Sequence, residues 1–310
     1  MKIAFRIDIS DKIGTGHLVR MSALAEAFFA LGHSCEFFKG EDEPVDFKGY
    51  DVVILDTYQV NDEYISNLKD DSRLLACYDD NALYTYNCDV LINANLHAIE
   101  LDFKLSGKKP HMLLGGKYAL LRREFREASP ITVKENNLRV FICFGGSDLR
   151  NMTPQVIKAL SAVDEIELYV VLGGYTKHDN EVYSLKSENI LIYKTPKSMV
   201  DIMKSCDIAI TAAGSMIYEL AALGMPTILI PQAENQFLIA EYMDRMGLMK
   251  NVSNWRDVDL KILKQETERL LSDVSRRKLE SKRLTETVDK NGAENAARAI
   301  IDFAAKLPGK

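Results

Sequence analysis

The chain has 310 residues, of which 47% are hydrophobic and 27% are charged, and its net charge is −6 at pH 7. This length exceeds one ordinary core and predicts two domains in a protein of ordinary globular composition. The negative charge argues against a nucleic-acid binder, but it leaves room for a small anionic ligand in a locally positive pocket.

Targeting segments and metal sites are not indicated. No stretch approaches the roughly 18 apolar residues that span a bilayer, and Arg6 and Asp8 interrupt the N-terminal apolar run that a signal peptide would need. The five cysteines are scattered without a CxxC pair, so we expect buried thiols in a cytoplasmic protein. The histidines lie far apart, and neither a metal nor a cofactor is expected.

Short β-type runs alternate with amphipathic stretches, which predicts an α/β fold with parallel sheets. First-half strands are predicted at residues 2–7, 34–38, 51–56, 74–78, 90–93 and 111–115. A helix is predicted from Gly16 to about Leu31, with Gly32 ending it as a C′ glycine. The charged segment 124–137 is interpreted as the connection between the domains.

The second half repeats this plan. Strands are predicted at residues 138–144, 166–172, 190–193, 208–211 and 227–230, and helices at 153–162, 199–204, 215–223 and 236–246, before a mostly helical tail over 260–306. The pattern predicts two Rossmann-like domains, residues 1–136 and 137–310, with a ligand cleft between them. Ligands of such sheets bind at the carboxyl ends of the strands.

A Gly-rich turn after the first strand leads into a helix with a histidine in its first turn. Gly14 and Gly16 would let backbone N–H groups approach a ligand, and a helix N-terminus favours negative charge. The helix dipole disfavours a protonated imidazole there, so His17 is a candidate general base beside a bound phosphate. Three more ionisable groups lie within the same fifteen residues: Arg6, Asp8 and Arg20.

Other interpretations of this turn stay open. The third glycine of a dinucleotide fingerprint is replaced by Val19, so a nicotinamide cofactor is not expected. The turn could serve helix–strand packing alone, and His17 could be a structural histidine.

Second-half motifs indicate a nucleotide site. Gly145, Gly146 and Ser147 follow a strand and precede a helix, where backbone N–H groups can hold phosphate, although an ordinary tight turn is the alternative. Further on, a strand end delivers Gly214 and Ser215 to a helix start, and Glu219, one turn further in, could accept hydrogen bonds from ribose hydroxyls. Amide side chains follow the next strand: Gln232, Asn235 and Gln236.

Polar pairs end three first-half strands. They are Asp56 with Tyr58, Asp79 with Asp80, and Asn93 with Asn95. Each pair could cap a helix or turn, but together they suit recognition of a sugar at the ligand edge of a sheet.

These motifs carry a family resemblance. The spacing Gly214-Ser215-x-x-x-Glu219-x-x-x-x-Gly224-x-Pro226, with its Asn-Gln segment, resembles the nucleotide site of the MurG-like glycosyltransferases of GT-B fold. The first half is similar to the UDP-sugar hydrolases of pseudaminic acid biosynthesis, a pathway of flagellin glycosylation, over about residues 2 to 240. The matching runs are Phe5-Arg6-x-Asp8, Gly14-x-Gly16-His17, Asp56-x-Tyr58, Asp79-Asp80, Asn93-x-Asn95, Tyr118 to Phe125 and Gly145 to Asp148.

The resemblance implies a metal-free GT-B enzyme that uses water to cleave the bond between the anomeric carbon and UDP, and we expect a monomer. His17 would activate the water, and the final helix would pack back on the first domain. The implied substrate-binding residues are Arg6, Asp8, Gly14, Gly16, Arg20, Asp56, Tyr58, Asn93, Asn95, Tyr118 and Arg122. The implied nucleotide-binding residues are Gly145, Gly146, Ser147, Gly214, Ser215, Glu219, Gln232, Asn235 and Gln236. The resemblance does not extend past residue 245.

Two other functions remain open. A glycosyltransferase of the same fold would pass the sugar to an acceptor, and a non-enzymatic UDP-sugar-binding protein would show no turnover. Release of free sugar without an acceptor separates the hydrolase from both.

Overall fold

The computed structural model describes residues 1–8, 16–40, 46–135 and 138–307. Its first-half elements are β1 (Lys2–Ile7), α1 (Gly16–Ala30), β2 (Ser34–Lys39), β3 (Val52–Asp56), α2 (Asp62–Asp71), β4 (Leu75–Tyr78), β5 (Thr85–Tyr86), β6 (Val90–Asn93), a 3-10 helix (Leu96–Glu100), β7 (Lys104–Leu105), β8 (His111–Leu114), a 3-10 helix (Gly116–Tyr118) and α3 (Arg123–Glu127).

The second half continues with strands and helices in alternation and ends in three helices. Its elements are β9 (Leu138–Cys143), α4 (Met152–Leu160), β10 (Ile166–Leu172), α5 (Asp179–Ser184), β11 (Ile190–Lys194), α6 (Met199–Lys204), β12 (Ile208–Thr211), α7 (Met216–Leu223), β13 (Thr227–Leu229), a 3-10 helix (Glu234–Gln236), α8 (Phe237–Arg245), β14 (Lys250–Asn251), α9 (Leu260–Ser272), α10 (Val274–Thr287) and α11 (Gly292–Lys306).

The chain forms two compact units. Unit 1 comprises Met1–Arg123 and the tail from Asp289, and unit 2 comprises Glu124–Val288. The last helix, α11, therefore lies in unit 1, where the Gly292 backbone approaches Ala119 so closely that a Cβ would lie 2.3 Å from the Ala119 carbonyl oxygen.

Unit 1 is built on a parallel sheet of six described strands in the order β2-β1-β3-β4-β6-β8. Every residue of β3, β4 and β6 is buried. Helices cover both faces: Ile54 packs with Phe28 of α1 and Ile300 of α11, whereas Val53 packs with Ile65 of α2. Central strands covered on both faces explain their near-continuous apolar sequences.

Unit 2 repeats the architecture with the described strand order β11-β10-β9-β12-β13-β14, again parallel throughout. Its central strand β12 is wholly buried, and the edge strands β11 and β14 are partly exposed. The α/β fold with two Rossmann-like parallel sheets is therefore confirmed.

The predicted end of α1 is confirmed at the level of its hydrogen bonds. Gly32 has φ +82°, its N–H donates to the Phe29 carbonyl at 3.0 Å, and the N–H of His33 donates to the Phe28 carbonyl at 3.0 Å. This is a Schellman motif, in which a glycine takes the left-handed conformation and satisfies the last carbonyls.

The segment 124–137, predicted to connect the domains, is partly folded and packed rather than an open linker. Its described part contains α3 with the fully buried Phe125, and the Ile131 N–H donates to the Leu223 carbonyl at 2.8 Å. This bond satisfies a carbonyl at the end of α7, so the segment from Glu124 is part of unit 2. The expected boundary at 136/137 falls on residues outside the described ones. None of the described helices has both the length and the apolar character needed for crossing a membrane.

Candidate functional site

Polar side chains lie together at the carboxyl edge of the unit 1 sheet. Strands β1, β3, β4 and β6 are neighbours in the sheet, and each is followed by predicted site residues. Asp8, Asp56, Asp79 and Asn93 lie at these strand ends, and all four are buried. The sheet order therefore brings together side chains that are widely spaced in the sequence, as ligand sites of parallel sheets require.

His17 and Asp56 form a buried pair. His17, the second residue of α1, is 3% exposed, and its Nδ1 lies 2.7 Å from Oδ1 of the fully buried Asp56. Arg20 Nη2 lies 3.1 Å from the same Nδ1. Because an ionised carboxylate can only accept, Nδ1 carries the proton and donates to Asp56 Oδ1, which also accepts from Arg20 Nη2. The neutral ring then has its lone pair on Nε2.

Arg20 binds two carboxylates at once. Its Nε donates to Asp56 Oδ2 at 2.7 Å, its Nη2 donates to Asp56 Oδ1, and its Nη1 donates to Asp80 Oδ2 at 2.5 Å. The guanidinium carbon lies 4.3 Å from the centre of the Tyr78 ring, a cation–π contact. The guanidinium therefore has a hydrogen bond on every nitrogen and an aromatic face beside it.

The electrostatics of this cluster favour charged Asp56 and Arg20. Burial alone would raise the pKa of Asp56, but the Arg20 charge and the hydrogen bonds from Arg20 and His17 bring that pKa below its ordinary value. Burial alone would likewise lower the pKa of Arg20, whereas Asp56 and Asp80 raise it well above its usual range. Asp56, ionised at neutral pH, is thus the acceptor that faces His17.

A second arm of the cluster runs from Asp80 to Tyr58 and Asn95. The Tyr58 hydroxyl donates to Asp80 Oδ2 at 2.5 Å, and Asn95 Nδ2 donates to Asp80 Oδ1 at 3.3 Å. Burial and the Asp80 charge raise the pKa of Tyr58, so the phenol stays neutral and donates. The Tyr58 ring meets the His17 ring edge to face, with centroids 4.7 Å apart.

Arg6 and Asp8 form a buried ion pair. Arg6 Nη1 donates to Asp8 Oδ1 at 2.7 Å, and the second carboxylate oxygen accepts from the Thr57 hydroxyl and from the Tyr58 N–H at 3.2 Å. A Cβ on Gly40 would lie 2.8 Å from Arg6 Nη2, so the ion pair fits under a residue without a side chain. The pair anchors the loop after β3 that presents Tyr58.

The remaining predicted residues of unit 1 differ in their surroundings. Asn93 is fully buried; its Oδ1 accepts from the Asn95 N–H at 2.9 Å, and its Nδ2 has no hydrogen-bond partner among the described residues. Tyr118 and Arg122 are partly exposed after β8, and Gly16 is exposed as the first residue of α1. Gly14 lies outside the described residues.

In unit 2 the turn after β9 uses its acidic residue to cap a helix. Gly145 has φ +82°, and the buried Asp148 accepts hydrogen bonds from the Met152 and Thr153 N–H groups of α4, each at 2.9 Å. These two N–H groups at the start of α4 therefore already have an acceptor. The N–H groups of Gly145, Gly146 and Ser147 lie in the turn itself.

At the start of α7, Ser215 precedes the helix and its own side chain makes no capping hydrogen bond. Glu219 lies in the first turn and is 8% exposed. Because a helix start has orphan N–H groups and a positive dipole end, Gly214 and Ser215 present the kind of edge that binds an anion.

Amide side chains lie beside this helix start. Gln236 Oε1 accepts from the Gln232 N–H at 2.8 Å, and Gln236 Nε2 is 3.7 Å from the position that a Cβ on Gly214 would take. Gln232 is buried, its Nε2 donates to the Ile230 carbonyl at 2.9 Å, and its Oε1 has no described hydrogen-bond partner. Leaving a buried acceptor without a donor costs about 1–3 kcal/mol, so a donor group on a ligand would gain a favourable hydrogen bond to Gln232 Oε1. Asn235 is exposed.

Two further features at this edge were not predicted. A Cβ on Gly173 would lie 2.3 Å from the Gly146 carbonyl oxygen, and the Tyr175 N–H donates to that oxygen at 2.9 Å. Separately, the Arg150 guanidinium lies 4.5 Å from the ring of the single tryptophan, Trp255. The paired glycines at 173 and 174 were the available sequence signal for the first feature, because consecutive glycines after a strand permit close backbone approach.

Metal ligands are not clustered in the part of the chain that the structure describes, where no group of three or more His, Cys, Asp or Glu residues could hold an ion. The site chemistry available in unit 1 is therefore a carboxylate-bound imidazole with an arginine and a tyrosine beside it. In unit 2 it is a set of backbone N–H groups, amides and one buried carboxylate.

The two parallel-sheet units define a protein of GT-B fold. A solved structure of Acinetobacter baumannii MurG is similar over 97% of this chain and 100% of its own, with a TM-score of 0.69 at 13% identity. The profile described as glycosyltransferase family 28 C-terminal domain matches residues 139–300, more than half of the chain. The chain belongs to that family.

Two relatives that are similar to this chain in sequence are an uncharacterized protein and a named hydrolase. An uncharacterized protein of Methanocaldococcus jannaschii is 28% identical over 274 residues, covering 76% of this chain and 57% of that relative, so the chain spans little more than half of it. The protein named UDP-2,4-diacetamido-2,4,6-trideoxy-beta-L-altropyranose hydrolase of Campylobacter jejuni is 26% identical over 270 residues, covering 80% of this chain and 97% of that relative.

Proposed function

We propose that the chain is a UDP-sugar hydrolase that releases UDP and a free diacetamido-trideoxy sugar for pseudaminic acid biosynthesis. The observation that carries this proposal is the 2.7 Å hydrogen bond between His17 and Asp56 at the carboxyl edge of the unit 1 sheet. Similarity to a named hydrolase along 97% of that relative supports the substrate class.

His17 would act as the general base. Asp56 accepts a hydrogen bond from Nδ1–H, so Nε2 has the lone pair that can take a proton from a water molecule. The water oxygen then bonds to the anomeric carbon, and the bond from that carbon to the diphosphate oxygen breaks with its electron pair leaving on UDP. The ionised Asp56 stabilises the imidazolium that forms, as a buried carboxylate does for a histidine base in other hydrolases.

Unit 2 would bind the nucleotide. The start of α7 at Gly214 and Ser215 suits the diphosphate, because backbone N–H groups and the dipole at a helix start stabilise negative charge. Glu219 would accept from the ribose hydroxyls, and the unpaired Gln232 Oε1 would accept from a donor of the nucleotide or sugar. The turn at Gly145 would contribute backbone N–H groups other than those already bound by Asp148.

A glycosyltransferase is the second candidate, favoured by membership of a family whose description is a glycosyltransferase domain. Such an enzyme would share the nucleotide site and would use a basic residue to activate an acceptor hydroxyl rather than water. His17 and Asp56 would suit that chemistry equally well, so the two candidates differ in the acceptor alone.

The deciding experiment is incubation of the full chain with UDP-2,4-diacetamido-2,4,6-trideoxy-β-L-altropyranose in the absence of any acceptor. We expect proton and phosphorus NMR to show UDP and free sugar in equal amounts, and the His17→Asn variant to show neither at a comparable rate. Absence of free sugar, with turnover only when an acceptor is added, would establish the transferase. UDP binding without turnover under any condition would indicate a binding protein.

A further inference from the structure

We infer that Arg20 is a positioning residue that fixes the His17–Asp56 pair and couples it to the Asp80–Tyr58 arm, rather than a residue that contacts the sugar. The inference rests on the proposed function for its catalytic meaning. Its geometric part concerns the free protein and can be measured without substrate.

The hydrogen bonds of Arg20 leave it little capacity for a ligand. Nε and Nη2 hold both oxygens of Asp56 in a two-pronged contact, and Nη1 binds Asp80 at 2.5 Å. The side chain is 12% exposed and stacks on Tyr78. A planar guanidinium with all three nitrogens engaged and one face covered holds its partners in a fixed geometry that an ammonium cannot reproduce.

We call the hydrogen bonds of Arg20 to Asp56 and Asp80 the Arg20 clamp. The clamp determines the orientation of the His17 ring. Asp56 is the acceptor for His17 Nδ1, and Asp56 cannot rotate without losing its two bonds to Arg20. On the other side, Arg20 shares Asp80 Oδ2 with the Tyr58 hydroxyl, and the Tyr58 ring packs on His17. Arg20 therefore supports the imidazole through a hydrogen-bonded partner and through a packed one.

The test is nitrogen NMR of the neutral His17 ring in the full chain without substrate, which reports the ring nitrogen that carries the proton. In the parent we expect the proton on Nδ1, and in Arg20→Gln we expect a mixture of the two tautomers, because Asp56 is no longer held in place. Arg73→Gln is the matched control and should keep the parent signal, because Arg73 pairs with Asp51 at the opposite end of the strands.

Kinetics supply the second readout. Arg20→Lys should lower kcat about tenfold with KM for the UDP-sugar changed less than about twofold, because orientation is lost and substrate contacts are kept. The inference is overturned if Arg20→Gln keeps the parent tautomer of His17, or if Arg20→Lys raises KM and leaves kcat unchanged. Should Arg20→Gln not fold, the lysine variant still decides. An inactive parent protein would refute the proposed function but would leave the NMR result standing.

Discussion

His17 Nδ1 lies 2.7 Å from Asp56 Oδ1 although 39 positions separate the two residues in the sequence. The pairing follows from the sheet order, in which β1 and β3 are adjacent, so the start of α1 and the end of β3 meet at one edge. It converts a histidine at a helix start into an imidazole of defined tautomer, with its basic nitrogen opposite the carboxylate.

Replacing His17 by Asn should remove the base and leave the nucleotide site intact. Turnover of the UDP-sugar is expected to fall by roughly 10²–10⁴, the usual contribution of general base catalysis, with UDP affinity changed by no more than a few-fold. Steady-state kinetics and calorimetry with UDP measure the two quantities. A His17→Asn protein with full activity would exclude this histidine from the chemistry.

Replacing Asp56 by Asn should destabilise the fold as well as the site. The change leaves the buried Arg20 cation without one of its carboxylates, and breaking a buried pair in this way costs roughly 3–5 kcal/mol. Asp51→Asn is the matched control, since its pair with Arg73 is partly exposed and should contribute at most about 1 kcal/mol. Urea denaturation of the three proteins gives the comparison, and equal losses in both variants would contradict the account.

The Asp56 contribution should also depend on pH. Because the folded pKa of this carboxyl is lowered, the unfolded chain binds more protons, and the stabilisation is fully present above the unfolded pKa of about 4. It is lost as pH falls through the lower folded value. The difference in unfolding free energy between the parent and Asp56→Asn should therefore be constant above about pH 5 and shrink below about pH 4. A difference that instead grew with acidity would reverse the assigned sign.

Gly173→Ala should disturb the turn after β9. Its new Cβ would lie 2.3 Å from the Gly146 carbonyl oxygen, which is backbone and cannot yield as a flexible side chain would. We expect a loss of roughly 1–3 kcal/mol in unfolding free energy and weaker UDP binding. Gly174→Ala is the control, because its Cβ would meet Thr195 Cγ2 at an ordinary 3.5 Å. Comparable behaviour of the two alanine variants would show that the close approach is unimportant.

Glu219→Ala should weaken UDP binding by about 1–3 kcal/mol, the cost of leaving ribose hydroxyls without their buried acceptor. The matched comparison is 2′,3′-dideoxy-UDP, whose affinity should respond little to the substitution. Calorimetry with both nucleotides tests the role. An unchanged affinity for UDP would refute the ribose contact.

Much of the scaffold could be predicted from the sequence. Buried parallel strands are short apolar runs, so β1, β6, β10 and β12 were predicted with the bounds that the structure shows. The same reasoning located the polar residues that follow the strands, since ligand edges of parallel sheets carry them. Short or polar elements escaped it: α2 has few apolar residues, and β5 pairs with β7 over two residues each.

The partners within the site could not be predicted. Sequence spacing gives no distances, so Asp56 and Arg20 were both assigned to substrate, whereas the structure pairs them with each other and with His17. In the same way, Asp148 appeared only as the end of a run that matches the family, and its role as the cap of α4 was not predicted. Carboxylates at strand ends can bind ligands, cap helices or orient other side chains, and only three-dimensional contacts distinguish these roles.

Hydrolysis in water enriched in ¹⁸O tests the central claim most directly, when UDP and the sugar are analysed by mass spectrometry at early times. Attack on the anomeric carbon by a water activated by His17 predicts one ¹⁸O atom in the released sugar and none in UDP, with both products absent in His17→Asn. Label in the β-phosphate of UDP, or label-free products formed only with an added acceptor, would contradict the account.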